Sequence, residues 1–182
     1  MPSLRKLIDW IVTLAIAIGF VLVFESEVAK PYRIPSSSME PTLHCAKPGE
    51  WCEGRFNDRV IANRLAYRFG SPKRGQIVVF EAPKGACGIG GTFVKRLIGM
   101  PGDTVSESDG VISVNGKRLH EPYVDPQLRD VLSGRWPVAK GHYFFMGDDR
   151  AHSCDSRTWG SVPRSRLIGP VLFTYWPPTS WF

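Results

Sequence analysis

The sequence lacks the residue patterns that mark two large classes of binding protein. It has four cysteines and four histidines among 182 residues, and no two cysteines stand at the C-x2-C spacing typical of a structural zinc site. No Lys/Arg cluster, recognition-helix pattern or interleaving of aromatic and basic residues is present, so nucleic-acid binding is not indicated. Internal repeats and low-complexity tracts are also missing. We therefore expect one folded domain without metal, cofactor or nucleic-acid partner.

Long apolar runs are equally scarce, and an uncharged run from residue 10 to 24 lies just after Arg5 and Lys6. It is short against the ~20 residues that comfortably span a bilayer, although Trp10 at the interface and snorkelling basic side chains extend its reach. A cleaved secretory signal is the alternative, with Ala29 as the cleavage candidate, but Glu27 stands where a small neutral residue is needed. We predict an uncleaved signal anchor: residues 1–30 form a cytoplasmic stub and a single transmembrane helix, and residues 31–182 lie outside.

The formal net charge of +6 falls wholly in the part after residue 30, because residues 1–30 contain three basic and three acidic side chains. A basic domain tethered beside a membrane is attracted to anionic lipid. A solvated basic surface without a partner is the alternative.

Beyond residue 32 the hydrophobic pattern is typical of β-structure. We predict strands at 58–63, 76–80, 93–99, 111–114, 143–146 and 172–176. Asn115-Gly116 predicts a hairpin between 111–114 and 117–119. The 15 prolines and 18 glycines fit short strands joined by many turns. Spacing alone predicts a β-rich domain rather than an α/β one.

Residues 35–43 (PSSSMEPTL) place three serines between two prolines. Such clusters usually mark an exposed loop, but apolar residues bracket this one. A serine acts as a nucleophile only with a base within hydrogen-bond reach. A lysine can be that base only when burial removes its charge.

Lys95 is the candidate base, in a predicted strand ended by the turn dipeptide Pro101-Gly102. With the period of a strand, Phe93 and Leu97 share its face, and such apolar neighbours lower the pKa of a lysine. The alternative is a side chain that snorkels to water.

Residues 147–160 (GDDRAHSCDSRTWG) form a polar segment after a predicted strand. One interpretation is an exposed turn. In the other, His152 and a neighbouring aspartate supply half of a Ser-His-Asp triad. We favour the Ser–Lys pair, since the sequence gives His152 no orienting partner.

Together, the serine stretch, the Lys95 strand and the 147–160 segment resemble, in order, the motifs of bacterial type I signal peptidase. The resemblance runs from the apolar segment almost to the C-terminus. It implies a mainly antiparallel β fold of two packed sheets. It also implies an endopeptidase that removes signal peptides from secreted preproteins after small residues at −1 and −3. The enzyme is expected to be a monomer.

The same resemblance assigns roles to particular residues. Ser38 would be the nucleophile and Lys95 the general base. The Ser36 hydroxyl and the Ser38 backbone N–H would form the oxyanion hole. The remaining roles are these: Ser153 would orient the Lys95 amine, Asp155 and Arg157 would form a supporting ion pair, and Ile34, Met39 and Val94 would line the substrate pockets.

The chain departs from the family pattern outside these roles. Asp149 replaces the usual Asn, Ala151 and His152 replace an Asp-Asn pair, and Gln76 replaces a common Asp. We expect these changes to affect loop detail and not the chemistry.

Four cysteines outside the cytoplasm could form two disulfides, with three possible connectivities. Cys45 and Cys52 close a short loop that contains Pro48-Gly49, which makes them the local choice. Cys87 and Cys154 are then left to pair.

Three other readings stay open at this level. One is a membrane-anchored β domain without activity, whose serine loop is only a loop. Another is a Ser–Lys self-cleaving repressor, which would need a helix-turn-helix N-terminus where this chain has an apolar run. The third is a specialised processing peptidase for pilin or conjugative-transfer substrates.

Overall fold

The structure is a computed structural model that describes residues 4–88 and 90–178. Residues 1–3 of the predicted stub, and residues 89 and 179–182 of the predicted outer domain, lie outside the described residues. The described helices are α1 (Leu4–Glu27), α2 (Ala66–Phe69) and α3 (Ser156–Trp159). The described strands are β1 (Ala29–Arg33), β2 (Arg59–Asn63), β3 (Ile77–Glu81), β4 (Thr92–Gly99), β5 (Thr104–Ser108), β6 (Val111–Val114), β7 (Lys117–Arg118), β8 (Gly134–Pro137), β9 (His142–Met146), β10 (Val162–Pro163) and β11 (Leu167–Trp176).

Helix α1 occupies the segment predicted as the anchor and leads directly into β1. Its side chains from residue 4 to 22 are all exposed, including Trp10, Leu14 and Phe20. None of the helices in the described part of the chain combines the length and the apolar character needed to cross a membrane. The transmembrane helix therefore stays a prediction.

The larger sheet is antiparallel and contains seven of the described strands, in the order β1-β2-β11-β3-β4-β9-β10. The last of the described strands thus lies inside this sheet, where β11 pairs with β2 on one side and with β3 on the other. Gly169 lets β11 approach the turn after β2, because a Cβ there would lie 1.9 Å from the Asn63 carbonyl oxygen. The register shifts in both pairings bend this strand and allow the sheet to curl.

The smaller sheet has the order β7-β6-β5-β8 and packs against one end of the larger one. Ile98 and Phe144 from the larger sheet meet Val105 and Ile112 from the smaller sheet in a fully buried cluster. Gly99 makes this approach possible, since a Cβ there would lie 2.7 Å from the side chain of Val105. The prediction of a mainly β fold with two antiparallel sheets is therefore confirmed.

Each predicted strand is present, with shifts of one residue at several ends and a larger one for the last strand, which begins at Leu167 rather than 172. The Asn115-Gly116 hairpin joins β6 to β7, and both turn residues have positive φ. The prediction omitted four strands of the structure: β1, β5, β8 and β10. These contain prolines or several polar residues, which weaken the hydrophobic signal of a strand.

Candidate active site

Residues 37–39 form a single 3-10 turn, so the serine stretch is not the exposed loop that its composition suggests. Ser36 enters the turn in an extended conformation, and Glu40 N–H donates to the Ser37 carbonyl over 2.7 Å. Ser38 is 8% exposed and Met39 is 1% exposed. Met39 packs with Ile34, Leu43 and Val60, and this apolar contact draws the serines against the sheet.

Glu40 fixes the C-terminal side of this turn. Its buried carboxylate accepts hydrogen bonds from the backbone N–H of Cys45 at 3.0 Å and of Glu53 at 3.1 Å, and contacts the His44 ring. Potential metal-ligand atoms of Glu40, His44 and Glu53 lie within 4.8 Å of one another. The Glu40 carboxylate is already engaged by these hydrogen bonds. Through them it ties the serine segment to the loop that contains both Cys45 and Cys52.

Lys95 lies in the middle of β4, directly opposite Val78 of β3. The period-2 prediction places Phe93 and Leu97 on its face, and both belong to the apolar cluster on that side of the sheet. Lys95 is 4% exposed, and its Nζ lies 6.0 Å from the centre of the Phe93 ring. The snorkelling alternative is therefore excluded by the burial of the side chain.

Burial lowers the pKa of Lys95 from 10.5 to about 8, because the ammonium ion loses its hydration. The carboxylates of Asp155 and Asp148 oppose this shift by favouring the charged form. Lys95 Nζ forms no hydrogen bond with another of the described residues. A substantial fraction of this lysine is consequently neutral near pH 8, as a general base must be.

Ser38 and Lys95 line the same cavity, of about 420 Å³, together with Ser36. The hydroxyls of Ser36 and Ser38 lie 3.3 Å apart. Across the described residues no hydrogen bond joins Ser38 Oγ to Lys95 Nζ. Catalytic hydrogen bonds are often long before substrate binds, so the pair has the placement but not the final contact of a nucleophile and its base.

Asp148 joins the three segments that form this site, although sequence reasoning considered it only as one of the aspartates that could pair with His152. Its carboxylate accepts from Thr42 Oγ1 at 2.5 Å and from Arg96 at 2.8 and 2.6 Å. Thr42 follows the serine turn and Arg96 follows Lys95, so one buried aspartate holds the serine and lysine segments together. The contacts span 106 and 52 residues of sequence, and only the family resemblance of the 147–160 segment could have indicated them.

Ser153 does not form the hydrogen bond to Lys95 that the resemblance implied. Its Oγ is buried and has no hydrogen-bond partner among the described residues. It packs instead against Gly147, where a Cβ would lie 2.3 Å from Ser153 Oγ and 2.2 Å from the Ser38 carbonyl oxygen. The glycine thus lets the serine turn and Ser153 approach each other closely, and the Ser153 hydroxyl is left without a partner.

Arg157 connects the 147–155 loop to the smaller sheet. Its guanidinium donates to both oxygens of Asp155 at 2.9 Å, to the Arg150 carbonyl at 2.8 Å and to the Asp130 carboxylate. Glu107 of β5 lies 3.5 Å away. Asp155 also accepts from the Gly147 N–H at 3.1 Å, so the ion pair with Arg157 fixes both ends of the loop.

His152 has an orienting partner, and the expectation that it has none is wrong. The turn at residues 149–152 folds the ring back over Asp149, whose two carboxylate oxygens both lie 3.0 Å from His152 Nδ1. The His152 N–H also donates to Asp149 at 3.1 Å. An aspartate that accepts from the backbone three residues later is a common turn signal and could have indicated this contact. The ring stacks on Trp51, with centroids 4.0 Å apart.

The cavity is lined by both apolar and polar residues. Ile34, Met39 and Val94 belong to one apolar cluster and all three line it. His152, Cys87 and Cys154 also line it. Cys87 and Cys154 are bonded to each other, and Cys45 is bonded to Cys52, as the local pairing predicted.

The chain is similar to known proteins over most of its length. It matches the family described as signal peptidase, peptidase S26, over residues 7–176. It is 33% identical over 190 residues to signal peptidase IB of Staphylococcus aureus, covering 95% of this chain and 91% of that protein. It is 39% identical over 168 residues to a probable signal peptidase I-2 of Synechocystis, covering 91% and 71%. A crystal structure of a signal peptidase I from Enterococcus faecalis has a TM-score of 0.48 and 32% identity, covering 56% of this chain and 97% of that chain.

These relationships place the chain among the serine endopeptidases. It belongs to the signal peptidase family, peptidase S26, because the family match covers most of its length.

Proposed function

We propose that this enzyme removes N-terminal signal peptides from secreted preproteins, with Ser38 as nucleophile and Lys95 as general base. The observation that carries the proposal is that a lysine only 4% exposed lines the same cavity as the hydroxyl of a buried serine. Burial of a lysine charge is costly, and such sites are disproportionately functional.

In the proposed reaction, neutral Lys95 accepts the Ser38 proton as Oγ attacks the scissile carbonyl carbon. The resulting ammonium ion returns that proton to the leaving amine, and the C–N bond breaks to leave an acyl ester on Ser38. Water then attacks the ester with Lys95 again as base, which releases the signal peptide and restores the hydroxyl. Each proton that Lys95 takes is given back within the same half-reaction.

The oxyanion that forms in each step needs donors already in place. We assign this role to the Ser36 hydroxyl and to the Ser38 backbone N–H. The 3.3 Å separation of the two hydroxyls supports the first assignment, since a donor must lie beside the attacked carbonyl.

We assign Ser153 the orientation of the Lys95 amine. Its buried hydroxyl has no hydrogen-bond partner within the described part of the chain, and small movements of the lysine on substrate binding would provide one. The Asp155–Arg157 pair supports this arrangement by fixing the loop that carries Ser153.

The preference for small residues at −1 and −3 is assigned to the apolar wall of the cavity. Ile34 and Met39 are 3% and 1% exposed and pack with Val94, which leaves little depth for a large side chain. Cleavage after small residues follows from this shape.

We propose that α1 lies in the cell membrane as a single-pass anchor, with residues 1–30 as stub and anchor and residues 31–182 as the outer catalytic domain. A helix that exposes many large apolar side chains needs a covering surface, and lipid provides it. Arg5 and Lys6 favour a cytoplasmic N-terminus, and the basic domain favours anionic lipid. The enzyme would act there as a monomer.

The test is incubation of the full chain in detergent with a secretory preprotein, followed by mass analysis of the products. We expect one cut, after a small residue that has another small residue two positions before it. Ser38→Ala should abolish the cut, whereas Ser37→Ala, the neighbouring serine, should retain it. Cleavage by Ser38→Ala at the wild-type rate would contradict the assignment of the nucleophile.

A further inference from the structure

His152 faces the catalytic cavity but has no part in the reaction proposed above. Its side chain is 27% exposed and lines the same cavity as Ser38 and Lys95. It immediately precedes Ser153, so it belongs to the loop that Asp155 and Arg157 fix in place. A peptide bound across the nucleophile would therefore pass close to this ring.

The ring is held in one orientation by two independent contacts. Nδ1 lies 3.0 Å from both oxygens of Asp149, whose side chain is 1% exposed, so this nitrogen carries a proton and donates it. One face is covered by Trp51 with an angle of 15° between the rings. Only the opposite face and the edge that carries Nε2 are left for a ligand.

The Trp51 side of this contact is itself rigidly placed. Trp51 has a φ of 60°, which is unusual for a bulky residue, in the loop closed by the Cys45–Cys52 disulfide. Glu40 holds both Cys45 and Glu53 through their backbone N–H groups. A large aromatic side chain that is 58% exposed is thus kept beside the cavity rather than buried.

The apolar subsites are formed by residues of other segments. Ile34, Met39 and Val94 pack in one cluster, whereas His152 belongs to the loop that Asp155 and Arg157 fix. If that cluster receives the small residues before the scissile bond, His152 is left for the residues that follow it. In the neutral ring Nε2 is a hydrogen-bond acceptor, because Nδ1 carries the proton.

We propose that His152 is a specificity-determining residue that accepts, through Nε2, a hydrogen bond from a hydroxyl or amide side chain just after the scissile bond. This inference rests on the proposed function. The ligand is a segment of the preprotein that becomes the start of the mature protein. Asp149 sets the tautomer, and Trp51 fixes the plane of the ring.

The experiment uses quenched peptides and the full chain in detergent. Each pair of peptides differs only by Thr against Val, two side chains of similar shape, at the first, second or third position after the cut. We expect the wild type to cleave the Thr peptide with roughly tenfold higher kcat/KM at one of these positions, the effect of one hydrogen bond.

His152→Phe keeps a ring for Trp51 but has no acceptor, so the Thr/Val ratio should fall toward one. His152→Asn keeps an acceptor oxygen and should give an intermediate ratio. His120→Phe, at an exposed histidine that does not line the cavity, is the matched control and should keep the wild-type ratio.

The inference is overturned if the wild type cleaves the Thr and Val peptides with equal kcat/KM at all three positions. It is also overturned if His152→Phe slows both peptides by the same factor, which would make the ring merely structural. A wild type that cleaves neither peptide, or a Ser38→Ala variant that cleaves both, would instead contradict the proposed function.

Discussion

At the scale of one residue, the burial of Lys95 changes both its pKa and its contribution to the stability of the fold. The change in its pKa from 10.5 to about 8 corresponds to about 3 kcal/mol of folding free energy. This contribution destabilises the folded state at neutral pH. Between pH 8 and 10.5 the unfolded chain binds more protons than the folded protein does, so the free energy of unfolding rises with pH across that window. The fold therefore carries a destabilised lysine at pH 7, and apolar contacts elsewhere must offset it.

The first prediction concerns this lysine. Activity should rise with pH through an apparent pKa of about 8, because the base must be neutral before it accepts the Ser38 proton. Lys95→Arg should be as inactive as Lys95→Ala, since guanidinium stays protonated, and Lys95→His should keep a trace. The measurement is kcat/KM for one peptide between pH 6 and 10. Substantial activity in Lys95→Arg would show that charge, not proton transfer, matters.

The second prediction concerns Gly147. An added methyl group would lie 2.2 Å from the Ser38 carbonyl oxygen and 2.3 Å from Ser153 Oγ. Gly147→Ala should displace the serine turn and lower kcat by roughly 100-fold or more, because misplacement by about 1 Å has effects of that size. Gly116→Ala is a control at a turn with open space around it, although its positive φ carries some strain. Equal activity of the two variants would contradict the close approach.

Between elements, the clearest connection is the group of carboxylates around Arg157. Asp155 lies on the 147–155 loop, Glu107 lies on β5, and Asp130 lies in the segment between β7 and β8. These three carboxyl groups are buried or nearly buried around one guanidinium. Ionising all of them at once therefore has a high free-energy cost. Burial, followed by the neighbouring Asp130 charge, raises the pKa of Glu107 to about 7, and Arg157 opposes the shift.

The third prediction follows from the sign of that shift. A raised folded-state pKa gives stability that is complete below the ordinary pKa of 4.5 and is lost as pH rises through about 7. Glu107→Gln should therefore gain stability relative to the wild type between pH 5 and pH 8, by about 2 kcal/mol. Urea unfolding at the two pH values measures this difference. Glu81→Gln, at an exposed carboxylate of β3, should show no such change; a matching change there would refute the assignment.

The strands that sequence analysis found are those whose apolar residues alternate or run together, such as β3, β4 and β9. Strand β5 was missed although it is central in the smaller sheet, because one of its two inward residues is Glu107. Arg157, 50 residues away, contacts this carboxylate and makes its burial acceptable. A period-2 rule cannot anticipate a partner so distant in sequence.

The candidate site, like the strands, could be predicted only in part. The apolar face of Lys95 followed from period 2, whereas its proximity to Ser38 came only from the family resemblance. The Asp148 contacts with Thr42 and Arg96 depend on how three distant segments meet, and no local pattern encodes that. The Asp149–His152 contact was missed for another reason, since it is local and the turn signal was overlooked.

At the scale of the whole molecule, two disulfides constrain very different lengths of chain. Cys45–Cys52 joins residues seven apart, and Cys87–Cys154 joins residues 67 apart. The conformational entropy that a disulfide removes from the unfolded chain rises with the length of the closed loop. The corresponding stabilisation is roughly 2.5 kcal/mol for Cys45–Cys52 and roughly 4 kcal/mol for Cys87–Cys154.

The fourth prediction is that replacing Cys87 and Cys154 by serine lowers the urea midpoint more than replacing Cys45 and Cys52. The first pair should also lose activity, since both its cysteines line the cavity. Alkylation of native, unreduced protein should label no cysteine. Two labelled thiols at Cys45 and Cys52 would contradict the bridge and weaken the proposed location outside the cytoplasm.

The fifth prediction concerns topology. If Arg5 and Lys6 keep the N-terminus inside, protease added to intact spheroplasts should digest the chain from residue 31 onwards. A cytoplasmic marker protein should survive the same treatment. Protection of residues 31–182 until the membrane is broken would reverse the proposed orientation.

The position of β11 also sets the order of events during synthesis. Ser38 precedes β2 and Lys95 lies on β4, and the backbone ladder between those two parts of the larger sheet runs through residues 167–176. These residues are synthesised after both Ser38 and Lys95. A nascent chain that already contains Ser38, Lys95 and all four cysteines would therefore still lack the strand that connects the two parts of the sheet. An enzyme proposed to trim other proteins during export thus becomes competent only after residues 167–176 have been made and have joined the sheet.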